Sequence, residues 1–433
     1  MEPILTTIRQ AEGIMHLTEI CRKEEARANK LARRLDNKEI TISVIGQFKR
    51  GKSSLVNSLI GEKLMPVGII PITSAVTRIQ YGNRNTTVHF ENGVIEEIAK
   101  EDLPLYVSEQ KNPDNERGVS MVTLYNESSF IRKGLTFVDT PGVGSIHKHN
   151  SEAAYSFVKE SDGVIFLLSV DSPINEIEME FLRRTRQYAG KFYFVVNKVD
   201  MVDSDELDSF VYYCQDLLAN LMERDKVEIY PVSAKTGQGI DQLRNIFLDD
   251  CNENSMEILE ESARMKLIDI IKSALVQLDL YWSSMVMPVG RLEVRINKMR
   301  AAISEIVSQA MKEMNVLKVE GSDKPTFHLE VLLNGVKEQL SAKVSELFAM
   351  EYHYEMKEVD KEKLAHIKEN GQGFHFEKFQ VELDSIVLDL KDTLGRILLY
   401  REENSITVAF KIDEFNKIRR KLRAILGLIQ QGN

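Results

Sequence analysis

Gly46-Gln47-Phe48-Lys49-Arg50-Gly51-Lys52-Ser53-Ser54 fits the phosphate-loop pattern of a glycine, four residues, then Gly-Lys-Ser. The residues on either side give the pattern mechanical meaning. Glu39-Ile40-Thr41-Ile42-Ser43-Val44-Ile45 is β-branched and reads as a strand, and Leu55-Val56-Asn57-Ser58-Leu59-Ile60 opens a helix. A turn from strand into helix aims unpaired backbone N–H groups and the positive end of the helix dipole at one point, which favours an anion there. In such a loop Gly51 lets the main chain approach closely, Lys52 reaches the β- and γ-phosphates, and the Ser53 hydroxyl is placed for Mg²⁺. Gly46, Lys49, Arg50 and Ser54 complete the set expected around the phosphates.

Outward from this loop, further motifs follow, three of them at the end of an apolar strand. Met65 to Thr77 is a Pro/Gly-punctuated loop carrying hydroxyls, the kind that supplies a threonine to Mg²⁺ and senses a γ-phosphate. Thr73 is expected in that role, with Thr77 as the fallback. Gly134 to Val138 reads as a strand ending in Asp139-Thr140-Pro141-Gly142, which places Asp139 to hold Mg²⁺ through water and the Gly142 N–H to meet a γ-phosphate. Position 143 is Val, so no glutamine follows the glycine to orient an attacking water. Phe192 to Val196 leads into Asn197-Lys198-Val199-Asp200, where a carboxylate accepts hydrogen bonds from the N1–H and 2-amino group of guanine; adenine lacks that donor pair. Val227 to Val232 delivers Ser233-Ala234-Lys235, whose backbone is expected at the guanine carbonyl. In this order the motifs describe an α/β P-loop GTPase domain over residues 38–250, binding GTP or GDP with Mg²⁺ on Ser53, Thr73 and Asp139.

The stretch between Thr73 and Asp139 is far longer than a minimal domain of this kind needs. Thr86 to Phe90 and Gly93 to Ile98 read as a hairpin around Glu91-Asn92-Gly93, and Val119 to Tyr125 as another strand, so the sheet is expected to be mixed, with extra strands inserted. From about residue 254 helical patterns take over, with runs near 254–317, 327–368 and 375–429 and a kink or split at Pro288-Val289-Gly290. Runs of that length predict an elongated all-α neck and stalk over 251–433, roughly 60–90 Å if straight. Residues 1–37 carry Ile4, Ile8, Ala11, Met15, Ile20, Leu31 and Leu35 at helical spacing, and read as one amphipathic helix that joins this bundle. Its basic residues, Arg22 to Arg34, read more readily as a solvated face than as a lipid-binding one.

With 433 residues the chain needs more than one core, and 43% hydrophobic against 28% charged residues is ordinary for a globular protein. A net charge of −10 argues against gripping nucleic acid. Cys21, Cys214 and Cys251 show no metal-ligand spacing and are expected to be reduced thiols of a cytoplasmic protein. No secretory signal or 18-residue apolar run is found, so any membrane contact is expected to be peripheral. Two segments are candidates for it: Leu278 to Pro288, with the sole Trp282, and the basic stretch Ile418 to Ile429. Each reads at least as well as a helix-packing seam.

Gly46 to Ser54, Pro66-Val67-Gly68 leading to Thr73, Asp139 to Gly142 and Asn197 to Asp200, between an N-terminal helix and a long helical region, resemble the dynamin superfamily, especially its bacterial members and the mitofusins. The resemblance implies GTP hydrolysis coupled to dimerisation across the nucleotide face, as a homodimer or with a related GTPase. It also implies a moving helical neck that remodels or fuses membranes. Eukaryotic dynamins place Gln and Ser where this chain has Phe48 and Lys49, for water positioning and a monovalent cation. The resemblance therefore leaves Lys49 to supply positive charge, or Arg50 to act as an internal finger, beside Lys52 and Thr73 as catalytic groups. Two other readings of the motifs are an Era-type ribosome- or RNA-associated GTPase, and a slow GTP-gated scaffold.

Overall fold

The computed structural model describes residues 2–47, 49–66, 76–90, 93–108, 110–112, 115, 117–140, 157–320, 325–354 and 374–431. They form two compact units, one of residues 1–6 and 30–267, the other of residues 7–29 and 268–433.

The first unit is built on a nine-stranded mixed sheet. Its strands are β1 (Ile40–Ile45), β2 (Val76–Tyr81), β3 (Thr86–Phe90), β4 (Ile95–Ile98), β5 (Val119–Asn126), β6 (Leu135–Asp139), β7 (Gly163–Ser169), β8 (Lys191–Asn197) and β9 (Ile229–Pro231), in the order β4-β3-β5-β2-β6-β1-β7-β8-β9. β6, β1, β7, β8 and β9 run parallel, which brings their carboxyl ends to one edge of the sheet. β2 pairs antiparallel with β6, and the hairpin β3–β4 with β5 extends the sheet beyond it, so the expected insertion is present. β9 is shorter than the apolar run suggests. It lies at the sheet edge and ends on Pro231, which has no N–H for a ladder.

Among the helices, α1 (Glu2–Met15) and α2 (Arg22–Asn37) precede the sheet. α3 (Lys52–Ile60) follows β1, α4 (Pro104–Val107) precedes β5, α5 (Glu176–Thr185) follows β7, α6 (Ser204–Met222) precedes β9, and α7 (Ile240–Asn252) follows it. One face of the sheet, with Phe166, Leu168, Phe194 and Val196, is closed by Phe181 and Leu182 of α5 and by Cys214 and Leu218 of α6. On α7, Phe247 packs edge-on against Phe137 of β6 and Tyr193 of β8, with centroids 5.9 and 4.6 Å apart. Burial pushes the Cys214 thiol up to about 11, so it behaves as a small apolar side chain.

A buried charge cluster lies at the opposite end of β7. Asp162 accepts from Lys266 Nζ (2.8 Å), Ser262 Oγ (2.8 Å), the Thr41 N–H (3.0 Å) and Arg34 Nη2 (3.1 Å). Those partners come from α2, β1 and α8 (Ser255–Val286).

The expected single N-terminal helix is two. Thr18 breaks it: its hydroxyl accepts the Ile20 N–H and caps a short turn over Glu19–Cys21. The apolar residues Ile4, Ile8, Ala11, Met15, Leu31 and Leu35 are buried as their spacing predicts, whereas Ile20 is half-exposed beside the break.

The second unit contains α9 (Val289–Glu320), α10 (Pro325–Phe348), α11 (Phe374–Glu403) and α12 (Val408–Gln431), together with the greater part of α8. Leu292, Ile296, Met299 and Ile303 of α9 meet Leu329, Leu333, Val336 and Leu340 of α10 and Phe379, Leu383, Ile386 and Leu390 of α11 in one core. Spacings of three and four keep each set on one helix face. The expected long runs are shorter. Pro288 separates α8 from α9, and its carbonyl accepts the N–H of Arg291 and Leu292 at 3.0 Å. Helix α10 ends at Phe348 rather than continuing to 368: Ala349 takes φ 53°, and the Ser345 and Ser341 hydroxyls accept the N–H groups of Tyr352 and Tyr354. The run 375–429 is broken at Asn404 to Thr407, where the Thr407 N–H donates to Asn404 O. Among the described residues the longest helices have 32 residues, about 48 Å at roughly 1.5 Å per residue, not the 60–90 Å of unbroken runs.

Both segments considered for lipid contact are packed. Leu278, Leu280, Met285 and Met287 are buried. The Arg419 guanidinium lies 4.5 Å from the centre of the Trp282 ring and also pairs with Asp279. Phe415, Ile418, Leu422, Ile425 and Ile429 form the buried stripe of α12.

Candidate functional site

The phosphate loop leaves β1 at Ile45 and enters α3 at Lys52. Lys49 takes φ 68° and Gly51 φ 91°, left-handed positions of the kind that recur in anion-binding turns. The Lys49 side chain is exposed, and Ser54 lies half-buried in the first turn of α3. A side chain at Gly46 would meet Leu167 O at 2.6 Å, and one at Gly51 would meet Asn197 Nδ2 at 2.6 Å. Lys52 is buried, and its ammonium donates to the carbonyls of Gly46 (2.9 Å) and Gln47 (3.3 Å). Burial pulls its pKa down to about 8, against the opposing pull of Asp139 and Glu178.

Ser53 donates its hydroxyl to Asp139 Oδ2 at 2.7 Å, which brings helix α3 and the end of β6 together. Burial pushes Asp139 up to about 6, with Lys52 and the Ser53 hydroxyl holding it lower than burial alone would. Its Oδ1 is buried without a hydrogen-bond partner among the described residues. A hydroxyl beside a buried carboxylate with an unshared oxygen is a hard-oxygen set that fits Mg²⁺. Directly across the β2–β6 ladder from Asp139 stands Thr77, fully buried, its hydroxyl likewise unpartnered. The Thr140 hydroxyl pins the chain after Asp139 to Val44 O at 2.9 Å.

At the other end of the site Asn197 joins two loops. Its Nδ2 donates to Arg50 O (2.9 Å) and its Oδ1 accepts the Ala234 N–H (3.0 Å). Asp200 accepts from the Ser233 hydroxyl at 2.6 Å and faces Lys235 Nζ at 3.9 Å, and Ser58 of α3 donates to Ala234 O at 2.8 Å. Lys198, at φ 64°, pairs with Asp171 at 2.7 Å. Asn197, Lys198, Asp200, Ser233, Ala234 and Lys235 therefore meet on one side of the phosphate loop. Thr73 and Gly142, with Phe48, lie outside the described residues.

Arg50 departs from expectation. Only 1% exposed, its guanidinium donates to Glu178 Oε2 (2.6 Å), Pro173 O (3.1 Å) and Ser172 O (3.2 Å). A side chain so committed is a clamp on the loop rather than a finger reaching a phosphate. Its partner Glu178 was missed by sequence reasoning, although a signal was present: Asn175-x-x-Glu178 is a capping box that opens α5.

Comparison with known proteins agrees with this geometry. The dynamin family profile matches residues 42–200. An uncharacterized protein encoded in the xynA 3' region of Caldicellulosiruptor sp. (strain Rt8B.4) is 31% identical over 313 residues, 68% of this chain and 77% of that protein. Dynamin-like protein 2 of Campylobacter jejuni is 22% identical over 407 residues, and the match takes in 91% of this chain but 62% of that protein. A solved chain of an oligomerised bacterial dynamin pair shares the fold with a TM-score of 0.51 at 13% identity, covering 99% of this chain and 95% of that one. With this family profile match and a sheet widened by an inserted hairpin, this chain belongs to the dynamin superfamily of GTPases.

Proposed function

We propose that this chain hydrolyses GTP to GDP and phosphate, and couples that cycle to pairing of two such domains and to movement of its helical region at a membrane surface. Residues 38–250 are the GTPase domain in this reading, 251–433 the helical neck and stalk, and 1–37 the N-terminal segment that joins it. The observation that carries the proposal is the bridge made by Asn197, which holds the phosphate loop and the Ser233-Ala234-Lys235 loop to one amide.

The loop N–H groups and the Lys52 ammonium neutralise the β- and γ-phosphates, while Asp200 reads the guanine edge and rejects adenine. Ser53 and Asp139 would hold Mg²⁺, which would supply charge neutralisation for the phosphates. Thr73 and the Gly142 N–H complete the γ-phosphate contacts in this reading, and Lys49, left-handed and exposed, supplies the positive charge that Arg50 does not. Because Val143 cannot orient water, that task falls to another group, consistent with a site completed by a second copy or a related GTPase across the nucleotide face.

Among the described residues no helix is long and apolar enough to cross a membrane. The lipid contact in this reading is peripheral, at the cytoplasmic side. The membrane part of the reading draws on the bacterial dynamin pair of the same fold, which is described as sensing and tethering membranes. Two measurements test the proposal. Lys52→Ala is expected to abolish GTP turnover and Asp200→Asn to weaken selection of GTP over ATP; unchanged turnover and selectivity would reject the assigned site. Co-sedimentation with anionic liposomes is expected to depend on whether GTP or GDP is bound.

A further inference from the structure

We propose that Glu178 is the positioning residue of the phosphate loop, holding its back in the phosphate-ready conformation before nucleotide arrives. The inference rests on the reading of 46–54 as a GTP-binding loop.

The Glu178 carboxylate is fully buried, and its oxygens are divided between loop and helix. Oε1 accepts the Gln47 N–H at 3.2 Å. Oε2 accepts Arg50 Nη2 at 2.6 Å and the Asn175 N–H at 3.2 Å. One side chain therefore grips the second and fifth residues of the loop and anchors both to the first turn of α5. On the same stretch Asn197 takes the Arg50 carbonyl, and Lys52 takes the carbonyls of Gly46 and Gln47.

These contacts use the main-chain N–H of Gln47 and the carbonyls of Gly46, Gln47 and Arg50. The Arg50 N–H turns back onto the Gln47 carbonyl at 3.4 Å, which closes this stretch on itself. A loop whose back is fastened this way loses little conformational entropy on binding, whereas an unfastened one must be ordered at about 1–2 kcal/mol per residue. Because β-phosphate contacts are common to GDP and GTP, Glu178 acts on ground-state affinity for both, not on the chemical step.

Removing Glu178 alone leaves the Arg50 charge buried and unpaired, which by itself threatens folding. The informative variant is therefore Arg50→Met/Glu178→Leu, which removes both charges at similar volume. It is expected to melt within a few degrees of the wild type and to bind GDP and GTP each about tenfold or more weakly. Its KM for GTP is expected to rise by the same factor, kcat to stay within about threefold, and preference for guanine over adenine to be kept. A folded double variant with wild-type affinities would overturn the proposal.

Amide exchange at Gln47 in the unmutated, nucleotide-free protein gives an answer even if the variant does not fold. Slow exchange is expected, and exchange as fast as that of an open loop would contradict a prefastened one. If the unmutated protein binds neither GDP nor GTP, the nucleotide reading itself fails, whatever Gln47 shows.

Discussion

Lys52 and Asp139 carry opposite charges and both are buried, which moves each toward its neutral form. Burial pushes Asp139 up to about 6 and pulls Lys52 down to about 8. In the proposed site, a proton taken up by the carboxyl below about pH 6 would compete with Mg²⁺, and above about pH 8 the ammonium would lose the charge assigned to the phosphates. Affinity for Mg²⁺ and GDP is therefore expected to be greatest between these values and to fall on both sides, measured by calorimetry across pH. A flat profile from pH 5 to 9 would contradict it. Thr77 offers a second test. Replacing a buried hydroxyl that has no partner among the described residues by a methyl group removes a desolvation cost of about 1 kcal/mol, so Thr77→Val is expected to melt higher. If the hydroxyl serves a water around the metal, the same variant needs severalfold more Mg²⁺ for half-maximal turnover, with GDP binding in chelator unchanged. Gly51→Ala should also weaken GDP binding, because its Cβ enters the space of Asn197 Nδ2 and the left-handed φ adds about 1–3 kcal/mol of strain. That Lys52, Ser53, Asp139, Asn197 and Asp200 come together was legible in the sequence, because each lies in a motif at or just beyond the end of a strand. The clamp role of Arg50 was not, since its partner is 128 residues away and no local pattern joins them.

The strands illustrate what local pattern can and cannot settle. β1, β6 and β8 are short apolar runs that lead into motif residues, and the inserted hairpin is bracketed by its turn at Glu91-Asn92-Gly93, so both were readable before the structure. The helical breaks were harder. Thr18, Ser341, Ser345 and Asn404 act through capping and backbone hydrogen bonds, which leave the apolar spacing on either side undisturbed. The core of α9, α10 and α11 predicts that Leu383→Ala, at a fully buried seam position, costs about 2–5 kcal/mol. Denaturant unfolding is expected to show an earlier transition, with GDP affinity unchanged. In the first unit, Asp162→Ala strips the counter-charge from the buried Lys266 and from Arg34, and is expected to cost about 3–5 kcal/mol. A thermal midpoint within a degree of the wild type would show that water or neighbouring groups replace it.

For the whole molecule, a nucleotide site lacking a glutamine after Asp139-Thr140-Pro141-Gly142, and with its buried arginine engaged elsewhere, is poorly equipped to turn over alone. Pairing across the nucleotide face is the means by which the missing group is supplied in the proposed cycle, and a membrane surface is a means of raising the local concentration that pairing needs. The direct test is GTP turnover per molecule, measured against protein concentration with and without anionic liposomes. A specific rate that rises with concentration, and rises further on lipid, is the expected result. A slow rate indifferent to both would contradict coupling of hydrolysis to assembly at a membrane.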